Sequence, residues 1–166
     1  FLAFLGDRLS ARRHRIFERL LDNQTALRRR QMARPHTIVH GDAHWWNFLY
    51  PRTGTGQEVG AGNRTDVSVA RVLVIDWALW TVGPAIEDLV PAIALAWFPE
   101  RRQRLERPLL EHYHRELVRR GVSGYDWQSC WDDYRLFAAT RPFNLAFHWE
   151  RKGWPVVWWN NLERAM

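Results

Sequence analysis

The sequence predicts a mainly α-helical protein with one short β-hairpin, an α+β fold made of a single domain over residues 1–166. Long stretches place leucines at helical spacing among arginines, the pattern of helices with one packed face and one face in water. Two short β-branched runs, at 37–39 and 72–75, interrupt these stretches and are typical of strands. The chain has 166 residues, 46% of them hydrophobic, which is enough for one globular core.

The first element is a long helix predicted over residues 8–32. Its end is set by Pro35, because the residue before a proline is biased against the helical region. One stripe of this segment holds five apolar side chains, Leu9, Ile16, Leu20, Leu21 and Leu27.

The hairpin comes next. Residues 37–39 lead into a loop, and residues 48–50 leave it as a strand that can pair with the run at 72–75. Residues 53–66 are the expected flexible connection, and the Gly54-Thr55-Gly56 sequence within them is read as a loose hairpin tip rather than a phosphate-binding loop. The pairing would bring Asn47 and Asp76 together.

Helices are predicted for the rest of the chain. Residues 85–98 are nearly all apolar after Glu87 and Asp88, as expected of a buried helix with carboxylates at its positive first turn. An amphipathic helix over 100–120 ends at Gly121, which suits a left-handed cap. Asp126 can cap a helix that runs towards Thr140, is interrupted or kinked at Pro142 and resumes to Glu150, and a last short helix is expected over 156–164.

Three polar residues of the hairpin region carry the chemical signal. Asp42 is followed by an Asn five positions later, Asn47, and a second Asp, Asp76, ends the apolar run 72–75. This is the spacing by which kinase-type enzymes place a base and two metal ligands around a triphosphate. Asp42 would orient the attacking hydroxyl, Asn47 and Asp76 would hold Mg²⁺ through hard oxygen atoms, and His44 can hydrogen-bond a phosphate oxygen.

The same residues give a family resemblance. The run His40-Gly41-Asp42, the Asp76-Trp77 pair and the segment 83–89, Gly-Pro-Ala-Ile-Glu-Asp-Leu, resemble the aminoglycoside phosphotransferase and choline kinase superfamily, whose small-molecule kinases share the protein-kinase fold. The recognisable motifs cover about residues 36–95.

The resemblance implies a role for each matching residue. Asp42 would be the catalytic base and His40 a loop-fixing residue, and with His44 they form the predicted catalytic set. Asn47 and Asp76 would bind magnesium and, with Asp42, the ATP cofactor. Asp88 would be a structural carboxylate at a helix start.

The resemblance also implies what is missing. ATP in this family lies between two lobes, and the first lobe supplies a phosphate-covering turn and a lysine. The residues before His40 read as helix, and the only lysine is Lys152. The chain is therefore interpreted as the C-terminal lobe of a kinase-like fold without its N-terminal nucleotide lobe, with a catalytic loop at 38–48, a metal-binding strand at 71–77 and a helical acceptor-binding region at 85–166.

The predicted function is transfer of the γ-phosphate of ATP to a hydroxyl of a small molecule, weak in this chain alone. The alternative is a non-catalytic kinase-like module that binds a small molecule or a protein. The acceptor-binding region is rich in aromatic residues, most of them expected in the core and a minority available as an aromatic wall: Trp127, Trp131, Tyr134, Phe137, Phe143, Phe147, Trp149, Trp154, Trp158 and Trp159.

Charge and composition bound the partners and the compartment. The net charge of +6 admits nucleic acid, but arginines next to leucines at helical spacing are typical of a solvated helix face, so no nucleic-acid partner is predicted. No segment reads as a membrane span or signal peptide, and the first residue is Phe1 rather than Met, so we expect a cytoplasmic protein that begins inside a longer chain. Cys130 is the only cysteine and allows no internal disulfide. The face left by the absent lobe allows self-association.

A zinc site is the competing interpretation of the histidines. His36, His40 and His44 recur every four residues and would share one face of a helix. The neighbouring Pro35, Thr37 and Gly41 favour an extended chain entering a turn, so the sequence favours the catalytic-loop interpretation.

Overall fold

The computed structural model of the chain describes residues 1–50, 72–151, 159–162 and 164. The predicted connection 53–66, with Gly54-Thr55-Gly56, lies outside the described residues, as do Lys152, Trp154 and Trp158. The predicted fold class is confirmed: the described chain is mainly helical, with two small antiparallel strand pairs. The helices are α1 Leu2–Leu5, α2 Ala11–Asp22, α3 Gln24–Met32, α4 Pro99–Arg119 and α5 Trp127–Glu150, and the strands are β1 His36–Val39, β2 Phe48–Leu49, β3 Leu73–Val74 and β4 Thr81–Pro84.

The prediction of one helix over 8–32 is wrong at Asn23. The Ser10 hydroxyl accepts a hydrogen bond from the amide of Arg13 at 3.3 Å, so α2 has a side-chain N-cap. Asn23, at φ −104° and ψ 6°, then separates α2 from α3. Its side-chain amide donates to the Arg19 carbonyl at 2.8 Å, and this competition with the backbone is why Asn favours a helix end.

The predicted hairpin is confirmed, and a second strand pair accompanies it. β2 and β3 are antiparallel, with Phe48 opposite Val74 and Leu49 opposite Leu73. β1 pairs with β4 in the same sense, with Ile38 opposite Val82. The sequence reasoning treated 37–39 only as the entry to the loop and did not predict its pairing with residues 81–84. The loop between β1 and β2 is thus held by strand pairs on both sides.

The apolar helix predicted over 85–98 is irregular and ends earlier. Ala85–Asp88 forms a 3-10 turn and Pro91–Leu95 a π-helical turn. Pro91 has no N–H to donate to the Glu87 carbonyl four residues back, and the Arg141 guanidinium donates to that carbonyl at 2.9 Å instead. The carbonyls of Ala92, Ala94 and Leu95 also accept hydrogen bonds from side chains. The donors are Trp45, Arg102 and Arg164, at 3.2, 3.4 and 3.3 Å respectively.

The two long helices follow the prediction closely. α4 ends in a Schellman motif, in which Val122 N–H donates to the Leu117 carbonyl at 3.0 Å and Gly121 takes φ +89°. Asp126 caps α5 by accepting from the Ser129 amide at 2.7 Å. Helix α5 was predicted to be interrupted or kinked at Pro142; it continues through that residue, so the interruption is wrong, and the kink stays a prediction. Of the last predicted helix, residues 159–162 and 164 are helical, and residues 156–158 lie outside the described ranges.

Helix α5 connects two hydrophobic clusters. Its first half packs Cys130, Tyr134 and Phe137 against Ile86, Val90, Ile93 and Leu110. Its second half packs Leu145 against Leu5, Leu9, Phe17 and Leu162. None of the described helices is both long and apolar enough to cross a lipid bilayer.

Two polar contacts hold the segment just before β1 against α5. The buried carboxylate of Asp133 lies 2.8 Å from Arg34 Nε and accepts from the Tyr125 hydroxyl at 3.0 Å. The Gln31 side-chain amide donates to the Thr140 hydroxyl at 2.8 Å. The start of β1, and with it the loop that follows, is therefore placed relative to α5.

Candidate functional site

The loop after β1 turns sharply at Gly41. Its φ is +82°, a region that favours glycine, and a Cβ at this position would lie 2.2 Å from the Leu79 carbonyl oxygen. The chain then forms a tight turn in which His44 N–H donates to the Asp42 carbonyl at 2.8 Å, and Asn47 N–H donates to the His44 carbonyl at 3.0 Å. Glycine is thus required here by the close approach of the 77–79 segment.

His40 links the loop to the hairpin. Its ring is buried, and its Nδ1 accepts from the Asp42 amide at 3.2 Å. The ring proton therefore lies on Nε2, which donates to the Ile75 carbonyl at 2.8 Å. The Trp77 ring contacts the imidazole, with ring centroids 4.7 Å apart. His40 thus holds the backbones of residues 42 and 75 at fixed positions, as a loop-fixing residue does.

Asp88 fastens the loop from the other side. Its two carboxylate oxygens accept from the amides of His40 and Gly41, at 2.7 and 3.0 Å. The resemblance implied only a carboxylate at a helix start. Asp88 does lie in the first turn of the 85–88 segment, but its side chain binds a loop 48 residues away in the sequence. Spacing alone gives no signal for a contact at this distance.

Asp42, His44 and Asn47 form one cluster. Asn47 is buried, and its side-chain nitrogen donates to the Asp42 carbonyl at 2.9 Å and lies 3.4 Å from Asp42 Oδ2. His44 Nε2 lies 3.4 Å from the same Oδ2 atom. His44 Nδ1 is buried without a hydrogen-bond partner among the described residues. The structure therefore brings the predicted base and the first predicted metal ligand into contact, with His44 against both.

Asp76 follows β3 on the other arm of the hairpin. The Ile75 amide donates to the Asn47 carbonyl at 2.9 Å, so the residue before Asp76 is bound directly to the residue that carries the predicted amide ligand. Asp76 is exposed and takes φ +61°, the only positive φ of a non-glycine residue among those described. Asp tolerates this left-handed region better than most non-glycine residues, but the conformation is still uncommon, and such positions concentrate at functional sites.

The donor set suits a hard cation shared with other ligands. No described group of three or more His, Cys, Asp or Glu side chains forms a closed metal site. Magnesium does not need one, because one or two protein oxygens suffice when phosphates and waters complete the octahedron. The Asn47 nitrogen faces Asp42, which leaves the amide oxygen available for a cation. The zinc interpretation loses its premise, since His36 lies on a strand and His40 and His44 lie in the loop.

The loop is bordered by residues that sequence reasoning did not assign. Arg141 holds the carbonyl next to Asp88, and the Trp45 indole donates to the Ala92 carbonyl at 3.2 Å. The pair Trp45-Trp46 between His44 and Asn47 is the only sequence signal for the second contact. Several apolar side chains near the loop are exposed: Ile38, Trp46, Trp77, Leu79, Trp80 and Val82.

A His-Gly-Asp loop held by a distant carboxylate and paired to a hairpin that ends in a second Asp defines a kinase-like protein. The family comparison agrees and is more specific. A model described as the ecdysteroid kinase-like family matches residues 5–121, which are 117 of the 166 residues, and the chain belongs to that family. The match includes the loop, the hairpin and Asp88. Comparisons with curated proteins and with solved structures gave no significant match.

Proposed function

We propose that the chain is the catalytic and acceptor-binding lobe of an ATP-dependent kinase that phosphorylates a hydroxyl of a small molecule. Membership of a kinase-like family supports phosphotransfer at the level of the family. The observation that carries the finer proposal is the cluster in which Asn47 contacts Asp42 while its backbone binds the strand that ends at Asp76. One rigid unit thus presents a base and two cation ligands.

Asp42 is the proposed base. Its Oδ2 atom lies near the Asn47 amide and the His44 ring, which leaves Oδ1 to accept the hydrogen bond of the acceptor hydroxyl and to take its proton as phosphate is transferred. Asp42 is only half-buried, so a substrate can reach it. His40 keeps the Asp42 amide in place, and a loop fixed in this way positions the carboxylate before the substrate arrives.

Asn47 and Asp76 are the proposed magnesium ligands. The metal, when bound with ATP, would neutralise the charge of the transferring phosphate. The chain's own task is to hold two oxygen ligands on facing arms of the hairpin, and the Ile75–Asn47 hydrogen bond fixes their backbones. The contact of His44 with a phosphate oxygen stays a prediction, because its Nε2 now lies near Asp42.

The proposed partner of the lobe formed by this chain is a nucleotide-binding lobe. Ile38 and Val82 face each other across β1 and β4, so their side chains share one face of the sheet. They are 65% and 61% exposed, and Leu79, next to the loop, is 63% exposed. An apolar surface of this kind beside a site is typical of a covered interface. The acceptor would contact the helical part of the chain, with residues of α5.

The test is calorimetric titration of magnesium–ATP into this chain, into Asp76→Ala and into Asp22→Ala. Asp22 is an exposed carboxylate at the end of α2, so its variant changes net charge equally without touching the hairpin. We expect weak binding that requires magnesium, is lost in Asp76→Ala and is kept in Asp22→Ala. Phosphorylation of an acceptor should be slight in this chain alone.

Other outcomes contradict parts of the proposal. Binding that is equal in all three proteins would show that Asp76 holds no metal. An absence of binding to any of them would favour the alternative, a kinase-like module without phosphotransfer. Robust turnover by the chain alone would contradict the proposed need for a nucleotide lobe.

A further inference from the structure

A pocket of about 240 Å³ lies between α3, the end of β4 and α5. It includes none of the loop residues 40–47. Its lining includes the apolar residues Leu27, Phe137 and Phe143 and the charged residues Arg28, Glu87 and Arg141. An apolar surface with a few convergent polar groups is the usual composition of a small-molecule site. Its volume is below the range of drug-sized ligands, about 300–1,000 Å³, which limits the ligand to a small molecule.

Among the described residues, the charged side chains of this pocket form no hydrogen bond or close ion pair with one another. Within the part of the chain that the structure describes, the Glu87 carboxylate makes no hydrogen bond and lies in no ion pair, and Arg28 makes none either. The Arg141 guanidinium donates to the Glu87 backbone carbonyl, not to its carboxylate. The pocket is therefore lined by one carboxylate residue and two arginines whose side chains are not joined by a hydrogen bond or a close ion pair.

Arg141 is also held in place and poorly hydrated. Its hydrogen bond to the Glu87 carbonyl exists because Pro91 supplies no N–H there. Burial lowers the pKa of the guanidinium, although the nearby carboxylates of Glu87 and Asp88 act in the opposite direction. A cation that has lost part of its hydration gains from an added anion, and a fixed donor loses little entropy when it binds one.

We propose that this pocket binds a small zwitterion with an apolar body, of the amino-acid type. The carboxylate of the ligand pairs with Arg141 and Arg28, its ammonium pairs with Glu87, and its apolar part lies on Leu27 and Phe143. The amides of Gln31 and Asn144 line the same pocket and supply further hydrogen bonds. The proposal does not depend on phosphotransfer, because the ligand carries no phosphate and needs no metal.

The test adds three probes of similar shape to the full chain. Binding is measured in solution through the amide signals of labelled protein. L-Phenylalanine has both charges, phenylpropanoate lacks the ammonium, and phenethylamine lacks the carboxylate. We expect saturable binding of L-phenylalanine, with side-chain amide shifts at Gln31 and Asn144, and about tenfold weaker binding of each single-charge probe, the amount expected for loss of one charge-assisted bond.

Variants separate the two charges. Glu87→Gln keeps the backbone carbonyl that Arg141 binds, so it should weaken L-phenylalanine about tenfold and leave phenylpropanoate unchanged. Arg141→Gln should weaken both, and Arg135→Gln, an exposed arginine on the same helix outside this pocket, should weaken neither. Equal affinity for all three probes, equal losses of both probes in Glu87→Gln, or no saturable binding would overturn the proposal.

Because the probes are added without magnesium or nucleotide, this result is independent of the site at Asp42. Loss of magnesium–ATP binding in Asp76→Ala with unchanged L-phenylalanine binding would support both proposals. Binding of the zwitterion without any magnesium–ATP binding would leave the pocket supported and contradict the phosphotransfer proposal alone.

Discussion

Replacement of Asp88 by Asn tests whether one carboxylate holds the loop. The two oxygens accept from the amides of His40 and Gly41 at 2.7 and 3.0 Å, and His40 is only 2% exposed. A carboxamide keeps one acceptor and places an NH₂ group against the other amide. If the carboxamide oxygen keeps the buried His40 amide, the variant loses the charge on that bond and the whole bond to the exposed Gly41 amide, a loss of about 2–3 kcal/mol in the free energy of unfolding.

The assay is urea denaturation followed by tryptophan fluorescence. With an m-value of about 2 kcal/mol/M for a domain of this size, the midpoint should fall by about 1–2 M. The matched control is Asp132→Asn on α5, a partly exposed carboxylate 3.7 Å from Arg135, whose loss should lower stability by less than about 1 kcal/mol.

Amide hydrogen exchange locates the effect. His40 and Gly41 should exchange faster in Asp88→Asn, whereas amides in the middle of α4 should change only as far as global stability does. If Asp88→Asn unfolds at the same urea concentration as the unaltered chain, or if the two loop amides keep their protection, the Asp88 carboxylate does not hold the loop.

Three further predictions concern single positions. Gly41→Ala would place its Cβ 2.2 Å from a carbonyl oxygen at φ +82°, so the free energy of unfolding should fall by more than about 3 kcal/mol. In Gly121→Ala, where φ is +89° and the space is open, it should fall by about 1 kcal/mol. Similar urea midpoints for the two variants would contradict the clash. Burial raises the pKa of Asp133 above its usual value, so the folded chain keeps this proton to a higher pH than the unfolded chain. The contribution of Asp133 to the free energy of unfolding therefore falls as pH rises above about 4, where the unfolded chain begins to release the proton. Asp133→Asn should remove that decline, and parallel curves of stability against pH for the two proteins would argue against it. Asp126→Ala should cost about 1 kcal/mol through loss of the α5 N-cap, and unchanged thermal unfolding would exclude a capping role.

The sequence predicted what depends on neighbours in the chain. The caps at Asp126 and Gly121 are local chemistry, and both are confirmed. The β2–β3 pairing followed from two β-branched runs on either side of a loop. The positions of Asn47 and Asp76 on facing arms of that hairpin followed from the same pairing.

The sequence did not predict what depends on distant partners. Asn23 divides a leucine-rich helix because its side chain competes for a backbone carbonyl, an effect that apolar periodicity does not report. Pro142 was expected to interrupt or kink α5, but the helix is continuous there, because packing on both hydrophobic clusters outweighs one lost hydrogen bond. The bond from Arg141 to the Glu87 carbonyl joins residues 54 apart, and no local rule anticipates it.

The irregular segment 85–95 has a consequence for the time course of folding. Its carbonyls at 87, 92, 94 and 95 accept hydrogen bonds from the side chains of residues 141, 45, 102 and 164, respectively. A ribosome adds about 5–20 residues per second and releases the N-terminal part first. Trp45 is made before the segment, but residues 102, 141 and 164 follow it, so the carbonyls at 87, 94 and 95 must bind water until those residues emerge. Burial of the segment 85–95 waits for side chains of residues 141 and 164, which emerge seconds later, so a nascent chain that stops before residue 141 should keep this region open to proteases and chaperones.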